Sequence, residues 1–178
     1  MSRRGLRFHG WLVHGRRHRQ SDGYPKPTDL PLSSDCSGVT SAIAPSGRRI
    51  LVTGGGGFIG SHLVDALVEE NEVRVLDDFS TGHRDQVADG ATVLEGDVRD
   101  RELLEEAMDG VDLVFHEAAV VSVPESVEHP LESNAVNADA SLRLLELARQ
   151  RSARVVVASS AAIYGTPERV PLREDDRL

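Results

Sequence analysis

From Arg48 onward the chain alternates short apolar runs with longer stretches in which apolar residues recur every three or four positions. Ile50-Leu51-Val52-Thr53 is a brief continuous run, the pattern of a parallel strand buried on both faces. Four glycines, 54–57, follow at once. A helix begins after them, with Ile59, Leu63, Val64, Leu67 and Val68 on one side and Asp65, Glu69 and Glu70 on the other. Val73–Leu76 reads as a second strand ending at Asp77-Asp78, Thr92–Leu94 as a third, Asp112–Phe115 as a fourth and Val155–Ala158 as a fifth. Asp100 is placed to cap a helix carrying Leu103, Leu104, Ala107 and Met108, with Gly110 as its stop. The stretch containing Pro124 and Pro130 reads as a loop. Leu131, Ala135, Ala138, Leu142 and Leu145, spaced 4, 3, 4 and 3 apart, then predict a long helix. Strands alternating with helices of this length predict right-handed βαβ units, hence an α/β fold built on a parallel sheet of about five strands covered on both faces.

Residues 1–47 lack this order. The first 20 hold Arg3, Arg4, Arg7, Arg16, Arg17, Arg19 and three histidines without an acid, and 21–47 are rich in Pro, Ser, Gly and Asp. Such a composition buries too little apolar area to offset its ordering entropy. It reads as a disordered basic extension, 1–47, ahead of one domain over 48–178. Trp11-Leu12-Val13 is too short for the apolar centre of a secretory signal. A basic arm for nucleic acid or anionic lipid, a transit peptide and a start assigned too far upstream all fit. The abrupt join to the periodic region favours the last.

Composition narrows the class. The 178 residues carry a net charge of -9, but residues 1–49 have nine Lys and Arg against three acids, whereas 50–178 have eleven Arg against twenty-six acids. The acidic body argues against nucleic-acid binding there. No apolar run approaches the length of a membrane span. A single cysteine, Cys36, excludes a disulfide framework and a cysteine-based zinc site, and a reducing, cytoplasmic location is the expectation. The histidines show no metal spacing. His116 ends the fourth strand and is read as a packing residue near the cleft.

The glycine run takes its meaning from its place between a strand and a helix. Gly54 permits the tight turn, Gly57 lets the backbone approach a pyrophosphate, and Gly60 lets the helix pack close to the strand. The helix N-terminus offers free N–H groups and a positive dipole end to the phosphates. No Gly-Lys-Ser/Thr ending follows, which disfavours a mononucleotide loop. The prediction is a dinucleotide-binding, doubly wound sheet of the Rossmann type. Asp77, seventeen residues after Gly60, can accept hydrogen bonds from a ribose hydroxyl and would repel the extra phosphate of NADP. The cofactor is read as NAD, with Arg84 in the next loop keeping NADP open.

These motifs together resemble the NAD-dependent epimerase/dehydratase family of extended short-chain dehydrogenase/reductases. Thr53–Gly60 resembles its cofactor loop, which adds Phe58 and Ile59 to the three glycines. Leu76–Gly82 resembles the segment that holds the adenosine ribose, implicating Asp77, Asp78, Ser80 and Gly82. Glu95–Asp100 resembles the segment whose Asp contacts adenine, here Asp97 with Val98 beside it. His116-Glu117-Ala118-Ala119 resembles the small-residue turn under the cofactor, so Ala118 and Ala119 join the site, and Asn137 matches an Asn in the helix that follows. Val157–Gly165 resembles the fifth-strand segment, with Ser159 at the cofactor and Ser160 as the catalytic hydroxyl.

The same segment narrows the implied reaction. Dehydratases of the family place an Asp-Glu pair where this chain has Ala161 and Ala162, and a methyl group cannot move a proton. Ser-Ser-Ala-Ala-Ile-Tyr-Gly resembles the UDP-glucose 4-epimerase group better. That resemblance implies hydride transfer from sugar C4 to NAD and back to the other face, with a nucleotide sugar as substrate. A homodimer is an assembly open to it.

One part of the family's machinery is missing from the chain. The family's base is the Tyr of Tyr-x-x-x-Lys, but Tyr24 is followed four residues later by Thr28, Tyr164 by Glu168, and the only lysine, Lys26, is preceded four residues earlier by Asp22. The family would place that motif past Leu178. The expectation is an N-terminal portion, incomplete at its C-terminus and inactive alone, whose fifth strand has an open edge. Two alternatives stay open: a non-catalytic NAD-binding sensor, and another extended short-chain reductase acting on a nucleotide sugar.

Overall fold

The computed structural model describes residues 45–166, 169–173 and 175–177. The expectations for the basic extension lie outside the described residues, save for 45–47. Five strands form one parallel sheet: β1 (Arg49–Thr53), β2 (Glu72–Asp77), β3 (Thr92–Glu95), β4 (Leu113–His116) and β5 (Arg154–Val157), in the order β3-β2-β1-β4-β5. The predicted Rossmann-type sheet is therefore present. In β1 the last residue, Thr53, pairs in register with Leu76 of β2 and His116 of β4, which brings three strand ends to one level.

Side-chain alternation divides the core between the two faces. Ile50 and Val52 of β1 and Val73 and Val75 of β2 pack with Val64 and Leu67 of α1 (Phe58–Leu67). Leu51, Leu76 and Val114 point to the other face. There they meet Leu104 and Met108 from α2 (Arg101–Ala107) and its C-cap, and Ala140, Leu144 and Ala148 of the helix leading into β5. Asp100 caps α2 as predicted, accepting from the N–H groups of Glu102 and Leu103 at 3.0 and 3.1 Å.

Three local expectations are corrected. α1 starts at Phe58, so Ile59 lies in its first turn, 59% exposed, and the buried face of the helix is Gly60, Ser61, Val64 and Leu67. The proline-containing stretch is not a loop. It forms α3 (Val123–Glu128) and α4 (Pro130–Asn134), each with its proline in the first turn, where the missing N–H has no helical acceptor to lose. The long helix exists, running from α4 through one π-helical turn (Ala135–Ala140) into α5 (Ser141–Arg151). Yet the residues whose spacing marks it do not face the sheet: Leu131 is 86% exposed and Leu142 68%. The buried line is Ser133, Ala140, Leu144 and Ala148, smaller on average and so less visible in a hydropathy pattern.

Candidate functional site

The strand order reverses at β1, with β2 and β3 on one side and β4 and β5 on the other. Open α/β sheets bind ligands in the crevice that such a reversal leaves beyond the carboxyl ends of the strands. A cleft of about 870 Å³ lies there, and every residue the sequence assigns to the site, from Gly54 to Ser160, lines it.

The glycine loop is shaped by contacts no other residue allows. Gly54 has φ +71°, and a Cβ on it would stand 2.7 Å from Ala118 N. A Cβ on Gly60 would stand 2.1 Å from the Gly54 carbonyl oxygen. Gly57 donates its N–H to Gly54 O at 3.1 Å, and Ser61 N–H makes the first helical bond, to Gly57 O at 2.9 Å. The N–H groups of Phe58, Ile59 and Gly60 therefore have no intrahelical acceptor. No side chain caps this end, and the first turn carries no acid. The positive end of the α1 dipole is left to whatever enters the cleft.

Asp77 occupies the next rim. Its Oδ2 accepts from Gly56 N–H at 2.8 Å and its Oδ1 from Phe79 N–H at 2.7 Å, so one carboxylate shapes both the glycine loop and the loop after β2. Each oxygen keeps a further lone pair for a ligand. Asp78 Oδ1 accepts from both N–H and Oγ–H of Ser80. Gly82 lies so close to Gly56 that a Cβ would come within 2.6 Å of its backbone. Arg84 sits 5.7 Å from the Phe79 ring centroid, beside this loop. Asp97 lines the cleft while both its oxygens accept from the Arg99 guanidinium, at 2.5–2.9 Å. Those hydrogen bonds hold its carboxyl below the usual value of 3.8.

The opposite wall comes from β4, the long helix and the end of β5. Asn137, in the π-helical turn, grips Val120 at two points: its Oδ1 accepts from Val120 N–H at 2.8 Å and its Nδ2 donates to Val120 O at 2.9 Å. Ser160 Oγ accepts from Ala162 N–H at 3.1 Å and starts the tight turn Ala161–Tyr164, leaving its own hydrogen to donate. Ser159 and Ser160 are exposed along the cleft. The sequence reading missed Thr53, Glu117 and Ser141. Thr53 and Ser141 contact His116, and Glu117 lines the cleft with its carboxyl raised above the usual range by burial. Only the strand-end position of His116 hinted at this group.

Residues 50–178 match the NAD dependent epimerase/dehydratase family. The chain belongs to that family. It is 44% identical over 131 residues to a UDP-glucose 4-epimerase of Azospirillum brasilense, covering 71% of this chain and 38% of the relative. Among solved structures, a UDP-N-acetylglucosamine 4-epimerase from Methanobrevibacter ruminantium, in complex with UDP-N-acetylmuramic acid, superposes with a TM-score of 0.68 at 39% identity, covering 74% of this chain and 44% of that one. A UDP-glucose 4-epimerase from Brucella ovis in complex with NAD superposes with a TM-score of 0.66 at 37% identity, covering 72% and 41%. The chain thus spans about two fifths of the length of these family members. Among the described residues, no helix is long and apolar enough to cross a membrane.

Proposed function

We propose that this chain is the NAD-binding portion of a nucleotide-sugar 4-epimerase acting on a UDP-sugar, in the cytoplasm. One observation carries the reading: the uncapped first turn of α1 opens on the β1/β4 crevice while Asp77 stands at the rim bonded to the glycine loop. The residues fit the cofactor. Phe58, Ile59 and Gly60 N–H groups would take the pyrophosphate, and Asp77 the adenosine ribose hydroxyls. Asp97 and Val98 would border adenine, and Ala118, Ala119 and Asn137 would floor the nicotinamide end. When bound, NAD accepts hydride from the sugar and returns it.

Ser160 is the one residue of this chain assigned to the reacting sugar. Its oxygen accepts from Ala162 N–H, which leaves its hydrogen to donate, and the sugar C4 oxygen is the acceptor this reading assigns to it. The family's Tyr-x-x-x-Lys is not in the chain. Loss of a general base lowers a rate by about 10²–10⁴, so the chain alone binds NAD and turns over little or nothing. A homodimer belongs to the same reading, and the exposed Leu131, Leu142 and Leu145 give it an apolar surface. Sedimentation that stays monomeric at high concentration removes that part.

The deciding experiment is calorimetric titration of the chain with NAD and NADP, beside an epimerase assay with UDP-glucose. The reading predicts saturable NAD binding, weaker NADP binding and negligible turnover. Absence of NAD binding overturns it. A second reading is an NAD sensor without chemistry, which has no need of Ser160. A Ser160→Ala variant whose partner binding still depends on NAD supports the sensor.

A further inference from the structure

Along the floor of the cleft runs a chain of hydrogen bonds through His116. Ala118 N–H donates to Thr53 Oγ1 at 3.3 Å, Thr53 Oγ1 lies 2.7 Å from His116 Nδ1, His116 Nε2 lies 2.8 Å from Ser141 Oγ, and Ser141 Oγ donates to the Asn137 carbonyl at 2.9 Å. Thr53 is fully buried and His116 is 3% exposed, so water does not substitute at the link between them. The Asn137 side chain then returns to Val120 through its two bonds. The circuit begins at Ala118 and ends at Val120, and so fixes both ends of the turn after β4. The same turn abuts Gly54, whose missing Cβ makes room for Ala118 N.

The direction of each bond follows from the two ends. A backbone N–H only donates and a carbonyl only accepts. Ser141 gives its hydrogen to Asn137 O, so it must accept from the imidazole, and Nε2 carries hydrogen. Thr53 Oγ1 accepts from Ala118, and Nδ1 is the one acceptor within reach of its hydrogen among the described residues, so Nδ1 is bare when that hydrogen is used. The other neutral tautomer leaves the Thr53 hydrogen without an acceptor and draws Ser141 away from Asn137. The charged ring likewise leaves the Thr53 hydrogen without an acceptor, because Oγ1 then accepts from both Ala118 N–H and Nδ1–H. Only the neutral ring protonated on Nε2 satisfies every link.

We propose that His116 is a positioning residue for the cofactor site: as the Nε2–H tautomer it ties β1, β4 and the π-helical turn together and holds the Ala118–Val120 turn against the glycine loop. The proposal rests on the NAD reading above for its consequence in binding. Its geometric content stands apart from NAD.

The test uses the uniformly ¹⁵N-labelled chain in four forms: wild type, His116→Gln, His116→Phe and Ser141→Ala. The ring nitrogens of the wild type, read by NMR at neutral pH without NAD, show a protonated Nε2 and a bare Nδ1. A protonated Nδ1 overturns the proposal. The Gln amide offers one acceptor and one donor in place of the two ring nitrogens, whereas Phe offers neither. His116→Gln therefore binds NAD within about threefold of wild type, and His116→Phe at least about tenfold more weakly, the loss set by buried groups left unpartnered. Equal affinity of the Gln and Phe variants overturns the proposal, because size alone would then account for the residue. Should His116→Phe not fold, Ser141→Ala decides. It removes the acceptor of Nε2–H, so it moves the ring toward the Nδ1–H form and weakens NAD binding, and unchanged values of both sink the idea. If the wild type does not bind NAD, the cofactor reading fails by itself. The Ala118 and Val120 amide resonances then judge the positioning role: they move in Phe and stay in Gln, or the proposal falls.

Discussion

One methyl group, placed at Gly57 or at Gly60, separates what the glycine loop does for folding from what it does for the ligand. At Gly60 the added Cβ would lie 2.1 Å from Gly54 O and 2.8 Å from Gly54 C and Gly55 Cα. All three are backbone atoms that cannot swing aside. An ordinary contact is restored only if the first turn of α1 backs away from β1 by about 1 Å. Val64 and Leu67 move with it, off Ile50, Val52, Val73 and Val75. A gap of that size forfeits roughly a quarter to a half of each contact's attraction. Gly60→Ala is therefore expected at the upper end of overpacking, about 3 kcal/mol, against a total stability of about 5–15 kcal/mol for an ordinary domain. At Gly57, φ -81° and ψ 174° suit any residue, and the added Cβ meets only Gly54 O, at 3.3 Å. That contact relaxes within about 1 kcal/mol. Gly57 lines the cleft with Phe58, Ile59 and Gly60, so the prediction is that the methyl takes up space beside their free N–H groups. A charge-assisted hydrogen bond is worth about 1.5–3 kcal/mol, so losing one weakens NAD binding about tenfold or more. Urea unfolding and calorimetric NAD titration of both variants read the two effects separately. The reasoning is refuted if Gly57→Ala binds NAD like the wild type, or if Gly60→Ala unfolds at the wild-type urea concentration.

Further predictions rest on single contacts. Asp77→Asn removes one of the two oxygens that accept from Gly56 and Phe79 N–H; NAD affinity falls, the preference over NADP narrows in a competition titration, and stability drops by about 1 kcal/mol. Asp100→Ala removes the α2 cap and costs about 1 kcal/mol, a fall of a few degrees in a calorimetric melt. Leu144, fully buried, and Leu142, 68% exposed, are two residues apart on α5; Leu144→Ala loses about 2–5 kcal/mol in urea unfolding, while Leu142→Gln stays within about 0.5 kcal/mol. Burial pushes the His116 pKa below its usual 6.5. The unfolded chain then takes up a proton that the folded chain refuses, so stability is complete above pH 6.5 and declines as pH falls below it. Urea midpoints across pH 5–8 show that decline in the wild type, and less of it in His116→Gln. Asp97, held below 3.8 by its hydrogen bonds to Arg99, adds a second loss as pH falls through 3.8, absent in Asp97→Asn.

The sheet was legible because a strand buried on both faces reads as a short aliphatic run, as in Ile50–Val52 and, interrupted by Arg74, in Val73–Leu76. Asp100 was legible because a cap acts on the N–H groups two and three residues ahead. The glycine loop was legible because its constraint is local: Gly54 needs φ +71° and Gly60 lies under a carbonyl six residues back. The group around His116 was not. Its partners lie 63 positions before it and 25 after it, and nothing in the spacing of Thr53, His116 and Ser141 ties them until the parallel register sets β1 beside β4. Pro124 and Pro130 misled for the opposite reason. A proline stops a helix from its interior and starts one from its first turn, and only the backbone shows which.

The long helix shows what apolar periodicity measures. Leu131, Leu142 and Leu145 are larger than Ser133, Ala140 and Ala148, so a hydropathy pattern follows the former, yet the sheet takes the latter. Small residues bring the helix close to β4, where Leu144 joins Leu51 and Val114 in the core and Val136 and Leu147 pack against it. The close approach also places Ser141, at the start of α5, within reach of His116 and Asn137, in the π-helical turn, within reach of Val120. A bulkier inward face would lift Ser141 and Asn137 away from the turn they hold. The two faces of this helix thus answer to different demands. The inward face is small and brings its backbone near the site, while the exposed side carries Leu131, Leu142 and Leu145 among charged residues such as Glu132, Asp139, Arg143 and Glu146.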